Sequence, residues 1–314
     1  MGEGLLCIGL TTLDMVARPI DALPSGEGTR LIEGIAVAPA GTAAGAAMIA
    51  ARLGVKTALA GSVGGDFMGR VVRLGLEEQG VDTGLVGVIE RYPTSATVLT
   101  IDSNGRRPNF HALGAGLFAP TGEAVLAAAG KVAFLHYAGI GGPKLDGGAG
   151  LAVVQSAKAG GAVVTCDLIS PQPTALAELE RLLPHVDYFM PSASEAFALS
   201  KTDSLDAAAD FFLGLGAVAV IIKNGGAGSY VALGAERTAL PAYDITPVDT
   251  TSCGDSYCAG FIAGLSRGLA PLDACRFATA VAALVAQGLA TLGKVTSYDG
   301  VLEAMKAMTL KEPG

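Results

Sequence analysis

The sequence predicts an α/β fold with a mostly parallel central sheet flanked by helices on both faces. Short apolar runs alternate with helical stretches along the chain, the pattern of a parallel sheet with crossover helices. The runs are continuously apolar rather than alternating, as strands buried on both faces are. With 314 residues, 51% of them hydrophobic and 44 Gly, the chain can bury one large core and carry a small appendage.

In chain order, Leu5 to Leu10, Lys56 to Ser62, Val132 to Ala138, Ala162 to Asp167, Val186 to Met190 and Ala217 to Lys223 read as strands. Helical stretches lie near Gly41 to Leu53, Phe67 to Gln79, Glu123 to Ala129, Leu151 to Ala159, Thr174 to Leu183 and Leu205 to Leu215, with a later apolar helix over Pro271 to Ala290. Gly34 to Ala51 has no charge over 18 residues, long enough to suggest a membrane span. Pro39, Thr42 and its many alanines predict instead a strand end and a buried helix.

Two segments break the rhythm. Arg30 to Val37, and Thr94 to Asp102 joined through Ser103-Asn104-Gly105 to Arg107 to Leu113, predict paired strands of a small projecting sheet, since Asn-Gly is a strong hairpin signal. The appendage is inserted, so one domain over residues 1–314 is expected, with no linker or internal repeat.

The net charge of −8 and pI near 4.9 argue against a nucleic-acid surface. An anionic ligand must be met by local N–H groups and a metal, because the global field opposes it. Five scattered cysteines form no C-x-x-C pair, and Met1 to Leu10 shows neither a secretory n-region nor a myristoylation signal. A reduced, cytoplasmic protein without a membrane segment is expected.

The most informative stretch is Asp249 to Asp255, D-T-T-S-C-G-D, running into small residues up to Gly264. A small-residue turn followed by a helix aims free N–H groups at an anion. Asp255 there reads either as a helix cap or as a base beside bound phosphate. The segment resembles the second signature of the PfkB, or ribokinase-like, carbohydrate kinases, D-T-x-G-A-G-D, with Ser252 and Cys253 in place of Gly-Ala. Gly61 to Gly69, G-S-V-G-G-D-F-M-G, is similar to the family's first signature, and Asp66 can cap the helix that follows.

The resemblance spans roughly Leu5 to Leu292 and implies a ribokinase-like fold whose small sheet is a β lid, from about 15–37 and 92–113. It implies an ATP-dependent sugar kinase. Asp255 is then the general base, and the N–H groups of Ser252, Cys253 and Gly254 form the hole for the transferring phosphate. Asp14 is placed to bind sugar hydroxyls beyond the carboxyl end of the first strand, where it can equally be an acid that merely tops a strand. The segment Ala40 to Gly45, with Gly41 and Thr42, resembles the sugar-contacting G-G-x-x-x-N, but Ala40 replaces the first Gly and Gly45 replaces the Asn and offers no amide.

Lys223, Gly225 and Gly228 resemble the nucleotide turn, where a hairpin also fits, and Thr279 matches a position beside adenine. Glu195, in Ser192-Ala193-Ser194-Glu195, matches the acid that holds Mg²⁺ through waters, or is an ordinary first-turn helix acid. Asp249 and Thr251 match positions contributing to a K⁺ site. Partners implied are sugar, ATP and a second copy joined through the lid. A nucleoside kinase, or a weakened ligand-binding or regulatory member, are the alternatives. A dehydrogenase lacks its G-x-G-x-x-G after the first strand, and no Walker motif, metal triad or nucleophile elbow is found.

Overall fold

The computed structural model describes residues 2–172 and 174–312. In chain order its strands are β1 (Leu5–Gly9), β2 (Thr12–Arg18), β3 (Gly34–Ala40), β4 (Thr57–Ala60), β5 (Ser62–Val63), β6 (Gly87–Val88), β7 (Ala96–Thr100), β8 (Asn109–Ala112), β9 (Phe134–Ile140), β10 (Val163–Leu168), β11 (Tyr188–Phe189), β12 (Ala219–Lys223), β13 (Ser229–Leu233) and β14 (Glu236–Leu240). The helices are α1 (Thr42–Arg52), α2 (Phe67–Glu78), α3 (Glu123–Ala129), α4 (Ala149–Ala159), α5 (Ala175–Leu182), α6 (Ala193–Ser200), α7 (Leu205–Gly214), α8 (Cys253–Ser266), α9 (Pro271–Ala286) and α10 (Tyr298–Ala307).

Eight strands form the main sheet in the order β14-β13-β12-β11-β10-β9-β1-β4. The run from β12 to β4 is parallel throughout, and β13 and β14 close one edge as an antiparallel hairpin. That edge hairpin is absent from the sequence reading. Strand β1 shows why the apolar runs are continuous: Leu6 and Ile8 enter the core under α3 to α7, while Leu5 and Cys7 enter the core under α1, α2 and α8 to α10. Successive side chains point to opposite faces, so a strand covered on both faces is apolar at every position.

The uncharged stretch 34–51 divides into β3 and α1, as expected, and no helix among the described residues is long and apolar enough to cross a membrane. Asp66 caps α2 by accepting the Gly69 N–H at 2.8 Å.

A second sheet has the order β3-β2-β7-β8. Its bounds differ from those expected: it begins at Thr12, its second strand runs from Gly34 to Ala40, and the hairpin strands shrink to Ala96–Thr100 and Asn109–Ala112. The Asn104-Gly105 turn forms with Gly105 at φ +77, its N–H donating to the Asp102 carbonyl at 3.0 Å. The inner face carries Val16 and Leu99 into a small core with Ile101 and Ala290. On the outer face Val37, Met15, Val98 and Phe110 lie side by side in register, and Phe110 is 69% exposed.

Candidate active site

The site lies at the carboxyl ends of the parallel strands, where open α/β sheets bind ligands. Helix α8 is brought there by its small residues. A Cβ on Gly260 would stand 2.9 Å from Ala278 Cα, and one on Gly264 3.0 Å from Ala274 Cα, so both glycines let α8 pack directly on α9.

Ser252 is the N-cap residue of α8 and has a left-handed backbone at φ +55. This removes the reading of Asp255 as the cap: Asp255 sits inside the first turn. The Ser252 carbonyl receives the first intrahelical bond, from Ser256 N at 2.8 Å. The N–H groups ahead of it have no intrahelical acceptor. Cys253 N lies 3.5 Å from the Thr250 carbonyl, a long contact that leaves it weakly held.

Burial pushes the Asp255 carboxyl above its ordinary range; Lys223 and the Ser252 hydroxyl draw it back, and Asp14 and Glu195 add to the rise. Lys223, at the end of β12, donates to Asp167 at the end of β10 and lies 3.6 Å from Cys258 Sγ. Burial works against the ammonium, but Asp167, Cys258 and Glu195 hold its pKa well above normal. A Cβ on Gly254 would be 3.6 Å from Lys223 Nζ, so this cation reaches the first turn of α8. Sequence reasoning missed Asp167 and Cys258. Asp167 carried a readable signal, an acid at the carboxyl end of a predicted strand.

A cavity of about 610 Å³ brings together Thr42, Glu195, Lys223, Gly225, Gly228, Cys253, Gly254, Asp255 and Thr279. Arg107, Tyr243, Ile245 and Lys311 also line it, and none of these was singled out from sequence. Asp14, Gly41, Gly45, Asp249, Thr251 and Ser252 do not line it.

Several of the expected site residues also make contacts within the fold. Asp14 lies within β2 of the small sheet rather than topping the first strand, and accepts the Thr12 hydroxyl at 3.0 Å. Gly41 caps α1 at φ +98, where a Cβ would meet the Leu10 carbonyl at 2.6 Å. Thr42 donates its hydroxyl to the Ala138 carbonyl at 2.6 Å, and Thr279 donates to Cys275 O at 2.9 Å. Gly228 is glycine because a Cβ would collide with the Leu240 carbonyl, and the turn at Gly225 is the β12–β13 hairpin.

Glu195 forms a capping box with Ser192, accepting Ser192 N at 2.8 Å and its hydroxyl at 2.6 Å through Oε2. The first-turn reading of Glu195 therefore holds, and Oε1 makes no hydrogen bond among the described residues. No group of three or more His, Cys, Asp or Glu that could hold a metal directly occurs among them. Asp249 accepts Thr251 N at 2.8 Å and Ala290 N at 2.9 Å, one on each oxygen. The buried Thr251 hydroxyl has no hydrogen-bond partner among the described residues. Burial pushes the Cys253 thiol up to about 12, so it is no nucleophile near neutrality.

The chain is 30% identical over 257 residues to a fructokinase of Klebsiella pneumoniae, covering 79% of this chain and 81% of that one. It is 27% identical to a nucleoside kinase of Methanothermobacter thermautotrophicus, over 97% of this chain and 95% of that one. Its fold matches the structure of Arabidopsis thaliana ribokinase complexed with ribose and ATP at a TM-score of 0.79, with 22% identity over 98% of this chain and 99% of that one. The model of the pfkB family carbohydrate kinases matches residues 3–294, and the chain belongs to that family.

Proposed function

We propose that the protein transfers the γ-phosphoryl group of ATP to a hydroxyl of a small sugar or sugar derivative. The observation that carries this reading is Asp255 in the first turn of α8, beside N–H groups without intrahelical acceptors and within reach of the Lys223 ammonium. Asp255 takes the proton of the acceptor hydroxyl as its oxygen attacks the γ-phosphorus. The bond from that phosphorus to the bridging oxygen breaks, and ADP leaves. The protein's work in such a transfer is positioning and charge stabilisation. The amides of Ser252 to Gly254 are placed for the transferring group, an arrangement worth on the order of 10²–10³ in rate.

The nucleotide takes the side lined by Gly225, Gly228, Thr279 and Lys223, and the acceptor takes the side of Thr42 and Asp14. The uncommitted Oε1 of Glu195 would hold, through water, a Mg²⁺ bound with the nucleotide, and that ion would supply neutralisation of phosphate charge. The partnerless Thr251 hydroxyl beside Asp249 suits a K⁺ ion. The apolar row Val37, Met15, Val98 and Phe110 fits a homodimer joined through the small sheet acting as lid, since the same row on a second copy would bury it.

A nucleoside acceptor is the second reading, favoured by the near full-length match to a nucleoside kinase. A weakened ligand-binding protein has less support, because Asp255 and Lys223 both remain at the site. The test is ADP release with ATP and Mg²⁺ across sugars, sugar acids, sugar phosphates and nucleosides. Turnover of at least one acceptor class is expected. No turnover with acceptor binding intact would overturn the kinase reading.

A further inference from the structure

Arg107 is a cation that neither the fold nor the proposed transfer uses. It follows the hairpin tip of the small sheet, and the ladder continues past β8, with Thr100 N donating to Pro108 O and Asp102 N to Arg106 O. That register sets Arg107 across from Ile101, on the face that carries Asp14, Thr97 and His111, which pair side by side. Arg107 also lines the cavity with Thr42, Cys253 and Asp255.

Its neighbours are committed. Arg106 is held by Asp102 at 2.6 Å, Lys223 by Asp167, and Lys311 donates to the Gly226 carbonyl at 3.1 Å, on the nucleotide turn. Arg107 makes no ion pair or hydrogen bond among the described residues. Its charge still reaches the site, where it draws the Cys253 thiol downward against the effect of burial. A guanidinium offers paired donors matched to a carboxylate or phosphate. With a net charge of −8, such a group needs a local cation to bind.

We propose that Arg107 anchors an anionic group on the acceptor, so that the substrate class is a sugar bearing a carboxylate or a phosphate away from the attacking hydroxyl. The inference rests on the kinase reading for which ligand is the acceptor. Gly45 sharpens it: a site with no side-chain amide there relies less on neutral hydroxyl contacts and more on charge.

The test is calorimetric binding of a sugar acid, a sugar monophosphate and the uncharged parent sugar to the full chain, wild type against Arg107→Gln and Arg107→Lys. Wild type is expected to bind one of the two anionic forms about tenfold or more tighter than the neutral sugar, and the tighter one identifies the group. Arg107→Gln should raise that Kd about tenfold or more, leave the Kd for ATP within about twofold, and be partly rescued by Lys. Equal affinity for charged and neutral sugars overturns the proposal. So does an Arg107→Gln variant that weakens ATP alone, which would assign the cation to the γ-phosphate. Binding is read without turnover, so absence of ADP release sinks the kinase reading separately from the anion preference.

Discussion

Gly45 leaves the space that the Asp255 carboxylate occupies: a Cβ at position 45 would stand 3.1 Å from Asp255 Oδ2 and 3.4 Å from Ser252 Oγ. The glycine on α1 thus bears on the general base itself as well as on sugar contacts. Gly45→Asn should displace Asp255 and lower kcat by about tenfold or more, since misplacing a reacting group costs rate steeply. Alanine within a helix is favoured over glycine by about 1 kcal/mol, so Gly45→Ala should hold its melting temperature while losing less activity. Steady-state kinetics beside thermal unfolding separates the two effects. An Asn variant with full kcat would show that Asp255 does not need the space.

Asp255→Asn should lower kcat by roughly 10²–10⁴, the usual worth of a general base, with ATP and acceptor binding nearly unchanged. Because the folded state raises the Asp255 pKa, the ionised carboxylate is disfavoured in the fold at neutral pH. The Asn variant should therefore be no less stable than wild type. Loss of a cap would instead cost about 1 kcal/mol.

The same shift fixes the pH dependence. A base works only when deprotonated, so activity falls as pH drops through its folded pKa. Burial raises that value, and the acid limb of kcat/KM should lie above the ordinary Asp value of about 3.9. Lys223 pulls it down, so Lys223→Met should move the limb to higher pH.

The Lys223 and Asp167 side chains are 11% and 4% exposed. Asp167→Ala would leave the ammonium buried without its carboxylate, a loss of about 3–5 kcal/mol. Urea denaturation should show this, and Asp167→Leu with Lys223→Met should recover much of it. A loss in the double variant equal to the sum of the losses in the two single variants would mean that the pair is not coupled.

Replacing K⁺ by Na⁺ or Tris should slow turnover if Asp249 and Thr251 hold a monovalent ion. A rate indifferent to the cation removes that role.

Phe110→Asp should turn a dimer into a monomer by sedimentation, because it places a charge in the outer apolar row of the small sheet. A wild-type chain that sediments as a monomer would end the dimer reading.

Local features were readable where chemistry and spacing lie together. The Asp66 cap, the Asn104-Gly105 hairpin, the apolar strands and the turn into α8 each depend on a few neighbouring residues. The strand expected over Arg30 to Val37 lies instead at Gly34–Ala40, because β3 takes its register from β2, a partner that the pattern of residues 12–18 does not mark as a separate strand. The hairpin of β13 and β14 was missed because an edge pair gains its strands from a sheet already formed.

The alternation of buried strands and helices, the family and the position of Asp255 were determined by the sequence alone, since burial on both faces and a turn of small residues are written in consecutive positions. Tertiary structure decided which side chains meet there. Lys223 finds Asp167 across 56 positions and Cys258 meets Asp167 across 91, while Arg107 reaches the cavity only because the small sheet folds over it. Such contacts depend on strand order and register, which place distant strand ends side by side and leave no mark in the spacing of the chain.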